Sequence, residues 1–273
     1  ILPAIGRMKM KDVREPHLQR ILNDEKGRSF SHVSKLRMVI RSMFSRALSA
    51  GIINRDPSAN LILPKTTKGT HRSLTERERA AVLAVANSGA HKSGLLFKFL
   101  LYSGLRPGEV IALQWKDIDF SACTVTISGN LCYTPQKGVY LDTLKSGKVR
   151  TIDVAPEIIG LLRELRLEQS REAISPFVFT QSNSPEPMHP QSPARYMQKL
   201  SAKCGVPDLH PHKLRHTFAS IAITNGADVA SVSEKLGHSD KAITLRMYTH
   251  ADQESIRRAS QIFRDALKNS NQA

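Results

Sequence analysis

The chain has 273 residues, enough for two ordinary domains or one large one, and its 40% hydrophobic and 23% charged residues exclude a disordered or membrane-spanning protein. Forty Lys and Arg against 24 Asp and Glu give a net charge of +16, and since the excess is spread along the chain, we expect a nucleic-acid partner rather than an anionic membrane. Three cysteines without CxxC spacing and the lack of a signal-peptide pattern argue against a disulfide framework, a zinc site and export, so the expected location is cytoplasmic.

Residues 1–63 are predicted to be a helical segment. Between Ser31 and Ala50 apolar residues recur at helical spacing, and Gly51 is expected to end this helix. The predicted apolar stripe comprises Leu36, Val39, Ile40, Met43, Phe44, Ala47 and Leu48. The opposite arc carries cations and hydroxyls suited to phosphate contacts, namely Lys35, Arg41, Ser42, Ser45 and Arg46. For this helix taken alone, a solvated polar face is the simpler interpretation.

Residues 64–72 are polar and basic, and they are predicted to link the first segment to a second domain over residues 73–273. The pattern Thr75-x-x-Glu78 is a capping box that opens a helix. Alternating sequence predicts strands at 124–128, 131–134, 139–144 and 149–154, with a turn at Gly129-Asn130 and a tight turn at Ser146-Gly147. Helices are expected near 95–103, 156–170, 193–204, 212–225, 228–236 and 252–268. The predicted fold class is mainly α with a small antiparallel β-sheet (α+β).

The motif His212-Lys213-Leu214-Arg215-His216 places two histidines and an arginine on one helical face. Two histidines four residues apart are typical of zinc proteases, but Lys213 stands where those enzymes have glutamate, and an arginine beside a dication is electrostatically unfavourable. An anion site, in which an arginine fork and imidazole donors hold a phosphate, fits better. For this motif alone, ordinary surface polarity is an equally simple interpretation.

Three further features bear on this anion site. Arg106 lies in the Gly- and Pro-bounded turn GLRPGEV. His238 is the last residue of Leu236-Gly237-His238 and comes just after the end of a predicted helix, and Tyr248 lies on the short predicted helix that follows. Glu109 is expected to fix the Arg106 turn by a salt bridge, and His216 to support the helix or the arginines. In order with the residues above, the chain contains Arg106, Lys145, His212, Arg215, His238 and Tyr248.

These residues and their flanks, GLRPGEV, LKSGKVRTI, HKLRHTFAS and LGHSDKAITLRMYTH, resemble the tyrosine recombinase, or phage integrase, family. Among members of the family, the sequences of these motifs are most similar to those of integrases of Gram-positive phages and conjugative transposons. The resemblance covers the chain from about Ser73 to its end, as a catalytic domain, while residues 1–63 resemble the family's helical core-site DNA-binding domain. Since the sequence opens at Ile1 rather than at a methionine, we expect this domain to be truncated at its N-terminus.

The resemblance implies a site-specific recombinase that integrates or excises a mobile element. Tyr248 would attack DNA and form a 3′-phosphotyrosyl link, Arg106 and Arg215 would clamp the phosphate, and His212 and His238 would donate to its oxygens or move the tyrosine proton. Lys145 would protonate the leaving 5′ oxygen, with Lys148 and Lys137 as rivals in the sequence. No metal, ATP or other cofactor is expected, because arginines take the place of the cation.

The implied partners are the core recombination sites in double-stranded DNA and further copies of the chain, as a tetramer on two duplexes. An excisionase or a host DNA-bending protein is a further implied partner. The last predicted helix, 252–268, has an apolar stripe, and we expect it to dock on a neighbouring subunit. Two alternatives stay open from the sequence: a type IB topoisomerase-like enzyme, which shares the chemistry, and a non-catalytic DNA-binding regulator.

Overall fold

The computed structural model describes residues 1–65, 72–88, 91–144, 147–172, 174–182 and 184–237. Lys145, His238, Tyr248 and the predicted helix 252–268 lie outside these ranges, as does most of the predicted linker. The chain divides into two compact units, Ile1–His71 and Arg72–Ala273. No helix in the described ranges has both the length and the apolar character that a bilayer crossing requires.

The first unit is helical. Its elements are α1 (Leu2–Ile5), a 3-10 turn (Met10–Asp12), α2 (Glu15–Asp24) and α3 (Phe30–Ser49). Ser29 caps the start of α3, since its Oγ accepts a hydrogen bond from the backbone N–H of His32 at 3.3 Å. Gly51, with a φ of +69°, follows the end of α3, so the predicted glycine stop is confirmed.

The core of the first unit forms where α3 packs on α2. Ile40, Phe44 and Ala47 of the predicted stripe are buried, and Val33 extends it one turn earlier. The prediction was wrong at the edges of the stripe, because Val39 and Leu48 are 52% and 41% exposed. Only a narrow band of a helix faces its neighbour, and Val39 and Leu48 lie on its flanks.

The second unit contains seven of the helices described. They are α4 (Glu76–Ser88), α5 (His91–Ser103), α6 (Pro107–Ile111), α7 (Pro156–Glu172), α8 (Ser192–Cys204), α9 (Pro211–Thr224) and α10 (Val229–Leu236). The predicted capping box at α4 is confirmed: Thr75 N–H donates to Glu78 Oε2 at 2.9 Å, and Glu78 N–H donates to Thr75 Oγ1 at 3.2 Å. α5 lies within the core and packs against α4, α6, α7, α8 and α9.

The strands of the second unit form two small antiparallel sheets, which with the helices confirms the predicted α+β class. The strands are β1 (Ile118–Asp119), β2 (Thr124–Ile127), β3 (Asn130–Thr134), β4 (Gly138–Asp142) and β5 (Arg150–Asp153). One sheet has the order β1-β2-β5, with Val125 opposite Ile152, and the other is the hairpin β3-β4, with Cys132 opposite Tyr140.

The predicted arrangement of these strands was wrong in two details. Asn130 belongs to β3 rather than to a turn, and the strands form two sheets rather than one, since β5 pairs with β2 and β4 pairs with β3. A single sheet was expected because neighbouring strands usually pair. Here Val125, Ile127 and Ile152 give β2 and β5 buried residues that face the same core, which favours the longer-range pairing.

Candidate active site

The first predicted site residue, Arg106, follows the turn that ends α5. Gly104 has a φ of +66°, a left-handed conformation that glycine adopts without strain. A Cβ atom at Gly104 would lie 2.6 Å from a ring carbon of Phe218 and 2.7 Å from a methyl carbon of Leu236. Glycine therefore allows α9 and α10 to come close to the turn that carries Arg106.

Glu109 holds Arg106 in place. Its carboxylate accepts hydrogen bonds from the backbone N–H of Arg106 and from Arg106 Nη1, each at 3.1 Å. The side chain of Glu109 is 1% exposed and that of Arg106 is 22% exposed. The expected salt bridge is confirmed, and the Arg106 side chain stays partly accessible.

Arg215, on α9, reaches the same place from another direction. Its Nη1 donates to the Gly104 carbonyl at 2.9 Å and its Nη2 to the Leu236 carbonyl at 2.7 Å, and the residue is buried. Arg106 Nη2 donates to the carbonyl of Gly237, the next residue after Leu236, at 3.1 Å. The structure thus brings together the two arginines that the sequence predicts as a phosphate clamp.

Both arginines therefore meet at the C-terminal end of α10. This helix ends at Leu236, and Gly237 caps it with a φ of +66°. The last carbonyls of a helix lack intrahelical partners and carry partial negative charge, so cations are favoured there. A small apolar cluster fixes α10 on α9, and it comprises Ala219, Ile223, Val232 and Leu236.

A third guanidinium, that of Arg150 on β5, lies beside those of Arg106 and Arg215, and the three form what we call the arginine cluster. Arg150 was not among the predicted site residues. Arg150 Nη2 donates to Glu109 Oε2 at 2.7 Å, and Arg150 Nε donates to the carbonyl of Lys235 at 3.0 Å. The one sequence signal for its inward position is strand alternation, which puts Arg150 on the same face as the buried Ile152.

Positive charge exceeds negative charge in this cluster. Burial and the neighbouring cation Arg106 lower the pKa of Arg215, although Glu109 opposes this effect and Arg150 adds to it. Burial by itself would raise the pKa of Glu109, but its hydrogen bond and charge interaction with Arg150, together with Arg106, hold that pKa below the ordinary value. An anion beside Arg106 would relieve the repulsion between the guanidinium groups, so the cluster is suited to a phosphate.

Two of the histidines that the sequence singles out, His212 and His216, lie on α9. His212 is exposed in the first turn, with its ring centroid 6.5 Å from that of His210, and His216 is half-buried one turn later. His210 itself caps α9, since its Nδ1 accepts from the backbone N–H of Lys213 at 3.2 Å. Within the described ranges, no three His, Cys, Asp or Glu side chains are grouped as metal ligands would be.

Three predicted residues, Lys145, His238 and Tyr248, lie outside the described residues, so their placement stays a prediction. The two rival lysines, Lys137 and Lys148, are both exposed.

The predicted phosphate-contacting arc of α3 is exposed at each of its residues, Lys35, Arg41, Ser42, Ser45 and Arg46. A groove of about 580 Å³ runs along this side of the helix. Its lining comprises Ser34, Arg37, Met38, Arg41, Ser42, Ser45 and Asp56. The structure therefore brings Arg41, Ser42 and Ser45 to one groove, whereas Lys35 and Arg46 are not part of its lining.

Comparison with known proteins gives the family. The model of the phage integrase family matches residues 72–255, which is more than half of the chain. The chain belongs to the phage integrase family. The tyrosine recombinase XerC of Xanthomonas axonopodis pv. citri is 31% identical over 242 residues, which cover 86% of this chain and 73% of that protein. XerC of Bacillus licheniformis is 29% identical over 261 residues, which cover 91% of this chain and 80% of that protein.

Solved structures of other proteins share the fold. The Tn1549 transposon integrase, solved in complex with a circular intermediate DNA, has a TM-score of 0.80 at 22% identity, covering 92% of this chain and 86% of that one. A lambda integrase dimer bound to a core site has a TM-score of 0.66 at 16% identity, covering 88% and 84%. The predicted membership of the phage integrase family is confirmed.

As a phage integrase family member, this chain is a tyrosine recombinase, an enzyme that cuts and joins DNA strands in site-specific recombination. The relatives favour this function over a topoisomerase or a non-catalytic regulator.

Proposed function

We propose that this phage integrase family member integrates or excises a mobile element by cutting core sites in double-stranded DNA, with Tyr248 as its nucleophile. The observation that supports this proposal is the meeting of Arg106 and Arg215 at the end of α10, with more cationic than anionic groups around them. DNA-bound structures of the Tn1549 and lambda integrases, which share the fold, agree with DNA as the partner.

In the proposed reaction the Tyr248 hydroxyl oxygen attacks the phosphorus, and the bond from phosphorus to the 5′ oxygen breaks. The products are a 3′-phosphotyrosyl link and a free 5′-hydroxyl, so a 5′-hydroxyl of another strand reverses the attack and joins. Negative charge grows on the non-bridging oxygens during attack, and Arg106 and Arg215 stabilise it. This stabilisation replaces a metal ion, so no cofactor is required.

The remaining predicted residues handle protons. Tyrosine has a reference pKa near 10, so about 0.1% of it is ionised at neutral pH and the proton must leave during attack. We assign its transfer to His212 or His238, which also donate to the phosphate oxygens. Lys145 gives a proton to the leaving 5′ oxygen, a role in which neighbouring cations help by lowering an amine pKa.

A nicked suicide substrate that carries the target site tests the nucleophile. The unmodified chain is expected to give a covalent protein–DNA band on a denaturing gel, and Tyr248→Phe none. Tyr102→Phe, a change at a tyrosine 48% exposed on α5, serves as the matched control and keeps the band. An adduct in Tyr248→Phe, or none from the unmodified chain on cognate DNA that it binds, contradicts the assignment.

The first unit is proposed to be the core-site DNA-binding domain. Supporting this, the groove on α3 offers the cation Arg41 beside the hydroxyls of Ser42 and Ser45, and Arg37 is held by a hydrogen bond from its Nη1 to the Leu61 carbonyl at 3.4 Å. Short donors and cations of this kind position a protein on a DNA backbone. Lys35 and Arg46 extend the same exposed arc.

The proposed active assembly is a tetramer on two duplexes in the bacterial cytoplasm, with helix 252–268 docked on a neighbouring subunit. An excisionase or a DNA-bending host protein is the proposed accessory partner. Deletion of residues 252–273 is expected to abolish assembly of two duplexes in a gel-shift experiment while binding of one duplex remains. Unchanged assembly would contradict docking in trans, and relaxation of supercoiled DNA by a monomer would instead favour a topoisomerase.

A further inference from the structure

Arg150 occupies a central place in the arginine cluster without a role in the proposed reaction. It begins β5, an edge strand, and its side chain is 11% exposed. All three nitrogen groups of its guanidinium donate to the protein. Nη2 and Nη1 contact Glu109 at 2.7 and 3.4 Å, Nε contacts the Lys235 carbonyl at 3.0 Å, and Nη2 also contacts the Leu236 carbonyl at 3.4 Å.

Two of these acceptors are shared with the predicted clamp. The Glu109 carboxylate binds Arg106 as well as Arg150, and the Leu236 carbonyl binds Arg215 as well as Arg150. Arg150 is therefore joined through one acceptor to each clamp arginine. If its guanidinium moves, Glu109 and the Leu236 carbonyl each lose a donor, so the contacts that hold both clamp arginines change.

Arg150 also packs against the cap of α10. A Cβ atom at Gly237 would lie 2.8 Å from Arg150 Cζ and 2.9 Å from its Nη1, so the guanidinium lies directly against the glycine backbone. A second contact joins the same elements, because Lys235 Nζ donates to the Asp153 carbonyl at 3.1 Å. β5 is thus attached at both of its ends to the last turn of α10.

The chemistry of these contacts requires arginine. Its planar fork binds both oxygens of a carboxylate while Nε points elsewhere, whereas a lysine ammonium is a single point charge on a flexible stem. Burial and the full use of its nitrogens direct Arg150 to the protein rather than to a substrate. The positive charge of Arg150 still matters, because it offsets part of the negative charge of Glu109. Without Arg150, that carboxylate would pair with Arg106 alone.

We propose that Arg150 is a positioning residue, which sets the geometry of Arg106 and Arg215 by holding Glu109 and the end of α10. This inference rests on the proposed function, in which Arg106 and Arg215 clamp the reacting phosphate. A displacement of about 1 Å in such a clamp costs on the order of 100-fold in rate.

The test compares Arg150→Gln and Arg150→Lys with the unmodified full chain in single-turnover cleavage of a nicked suicide substrate. We expect Arg150→Gln to cleave about 100-fold more slowly, Arg150→Lys to be intermediate, and the Kd for the same DNA to stay within about threefold. Arg163→Gln is the matched control, because Arg163 also donates to a backbone carbonyl, that of Phe120 at 2.8 Å, but outside the cluster. Its cleavage rate is expected to stay within about twofold.

A second substrate separates positioning from a general loss of folding. It carries a methylphosphonate at the scissile position, which removes the charge that the clamp stabilises. If Arg150 acts through the clamp, the ratio of unmodified to Arg150→Gln rates becomes several-fold smaller on this neutral substrate. An equal ratio on both substrates means a merely structural role and overturns the inference, and Arg150→Lys keeps this comparison available if Arg150→Gln does not fold.

The outcomes also distinguish the inference from the function on which it rests. If both Arg150 variants cleaved DNA as fast as the unmodified chain, the inference would be overturned, while the recombinase mechanism would stand. If the unmodified chain bound cognate DNA but formed no covalent adduct, the proposed function would fail and the inference with it.

Discussion

Glu109 shows how one residue controls the charge balance of the candidate site. It is a nearly inaccessible carboxylate held between Arg106 and Arg150, and it also accepts a hydrogen bond from the backbone at the start of α6. Removing one member of a buried ion pair leaves the other charges without compensation, which costs about 3 kcal/mol or more. Glu109 therefore stabilises the second unit and also orients its arginines.

We expect Glu109→Gln to lower the free energy of unfolding of the second unit by about 3 kcal/mol at pH 7. The pKa of Glu109 is lowered in the folded protein, so its contribution is present above about pH 4.3, the ordinary value, and is lost as the pH falls through the folded pKa. The difference between variant and unmodified chain should therefore shrink in acid.

Urea unfolding followed by the fluorescence of Trp115, the single tryptophan, which packs against the core of the second unit, measures this difference. Glu157→Gln, at an exposed glutamate of α7, is the control and should change the free energy of unfolding by less than about 0.5 kcal/mol. A Glu109→Gln effect that does not shrink when the pH falls well below about 4.3 would contradict the assigned pKa direction.

Single residues also mark the limit of sequence-based prediction. The pairing of Arg106 with Glu109 was predictable because they are three positions apart at the start of a helix. Arg150 was missed because its contacts, Glu109 on α6 and Lys235 on α10, are distant in the sequence. Strand alternation with Ile152 indicates the face of β5 on which Arg150 lies, but it does not indicate which groups Arg150 contacts.

Among the elements, α10 depends on its glycine cap more than α8 does. Gly237 and Gly205 cap α10 and α8 with almost the same φ, +66° and +67°. Nothing lies within 4 Å of a Cβ at Gly205, whereas a Cβ at Gly237 would meet Arg150. A substitution at each glycine therefore distinguishes backbone strain, which both positions share, from displacement of Arg150, which only Gly237 would cause.

Gly205→Ala is expected to cost about 1–2 kcal/mol, the price of a left-handed residue with a side chain, and to leave DNA cleavage unchanged. Gly237→Ala is expected to cost more, and to slow single-turnover cleavage at least tenfold because the arginine must move. Urea unfolding and suicide-substrate cleavage of both variants measure these effects. Equal cleavage rates in the two variants would contradict a tight fit between Arg150 and the cap.

Element type was easier to predict than element pairing. Helical periodicity and caps located α3, α4 and the helices around the site, because these signals are local. The partner of β5 depends on core residues of β2, some 25 positions earlier, such as Ile127 opposite Arg150. Local sequence does not contain that information, which is why one sheet was expected and two were found.

For the whole molecule, the net charge of +16 predicts DNA binding that weakens steeply with salt. Each phosphate contact that is lost should reduce the slope of log K against log salt by about 1. Arg41→Ala, on the proposed DNA-binding groove of α3, is expected to reduce the slope by this amount. Arg28→Ala removes an equally charged side chain, 72% exposed in the same unit but outside that groove, and should leave the slope unchanged.

Fluorescence anisotropy of a labelled duplex between about 50 and 200 mM salt measures both slopes. The duplex needs no particular sequence, since phosphate contacts carry no sequence information directly. If both substitutions changed the slope equally, the charge of the first unit would act diffusely rather than through α3.

The arginines of the candidate site are anchored largely on main-chain carbonyls, those of Gly104, Lys235, Leu236 and Gly237. Every amino acid supplies such a carbonyl, so these contacts do not depend on which side chain the residue carries. The arginine anchors therefore set no requirement of their own on the side chains of the last turn of α10, although packing on α9 still requires the buried Leu236. An alanine scan of that turn would miss the anchors, and amide-to-ester replacement, which weakens the carbonyl as an acceptor, would reveal them.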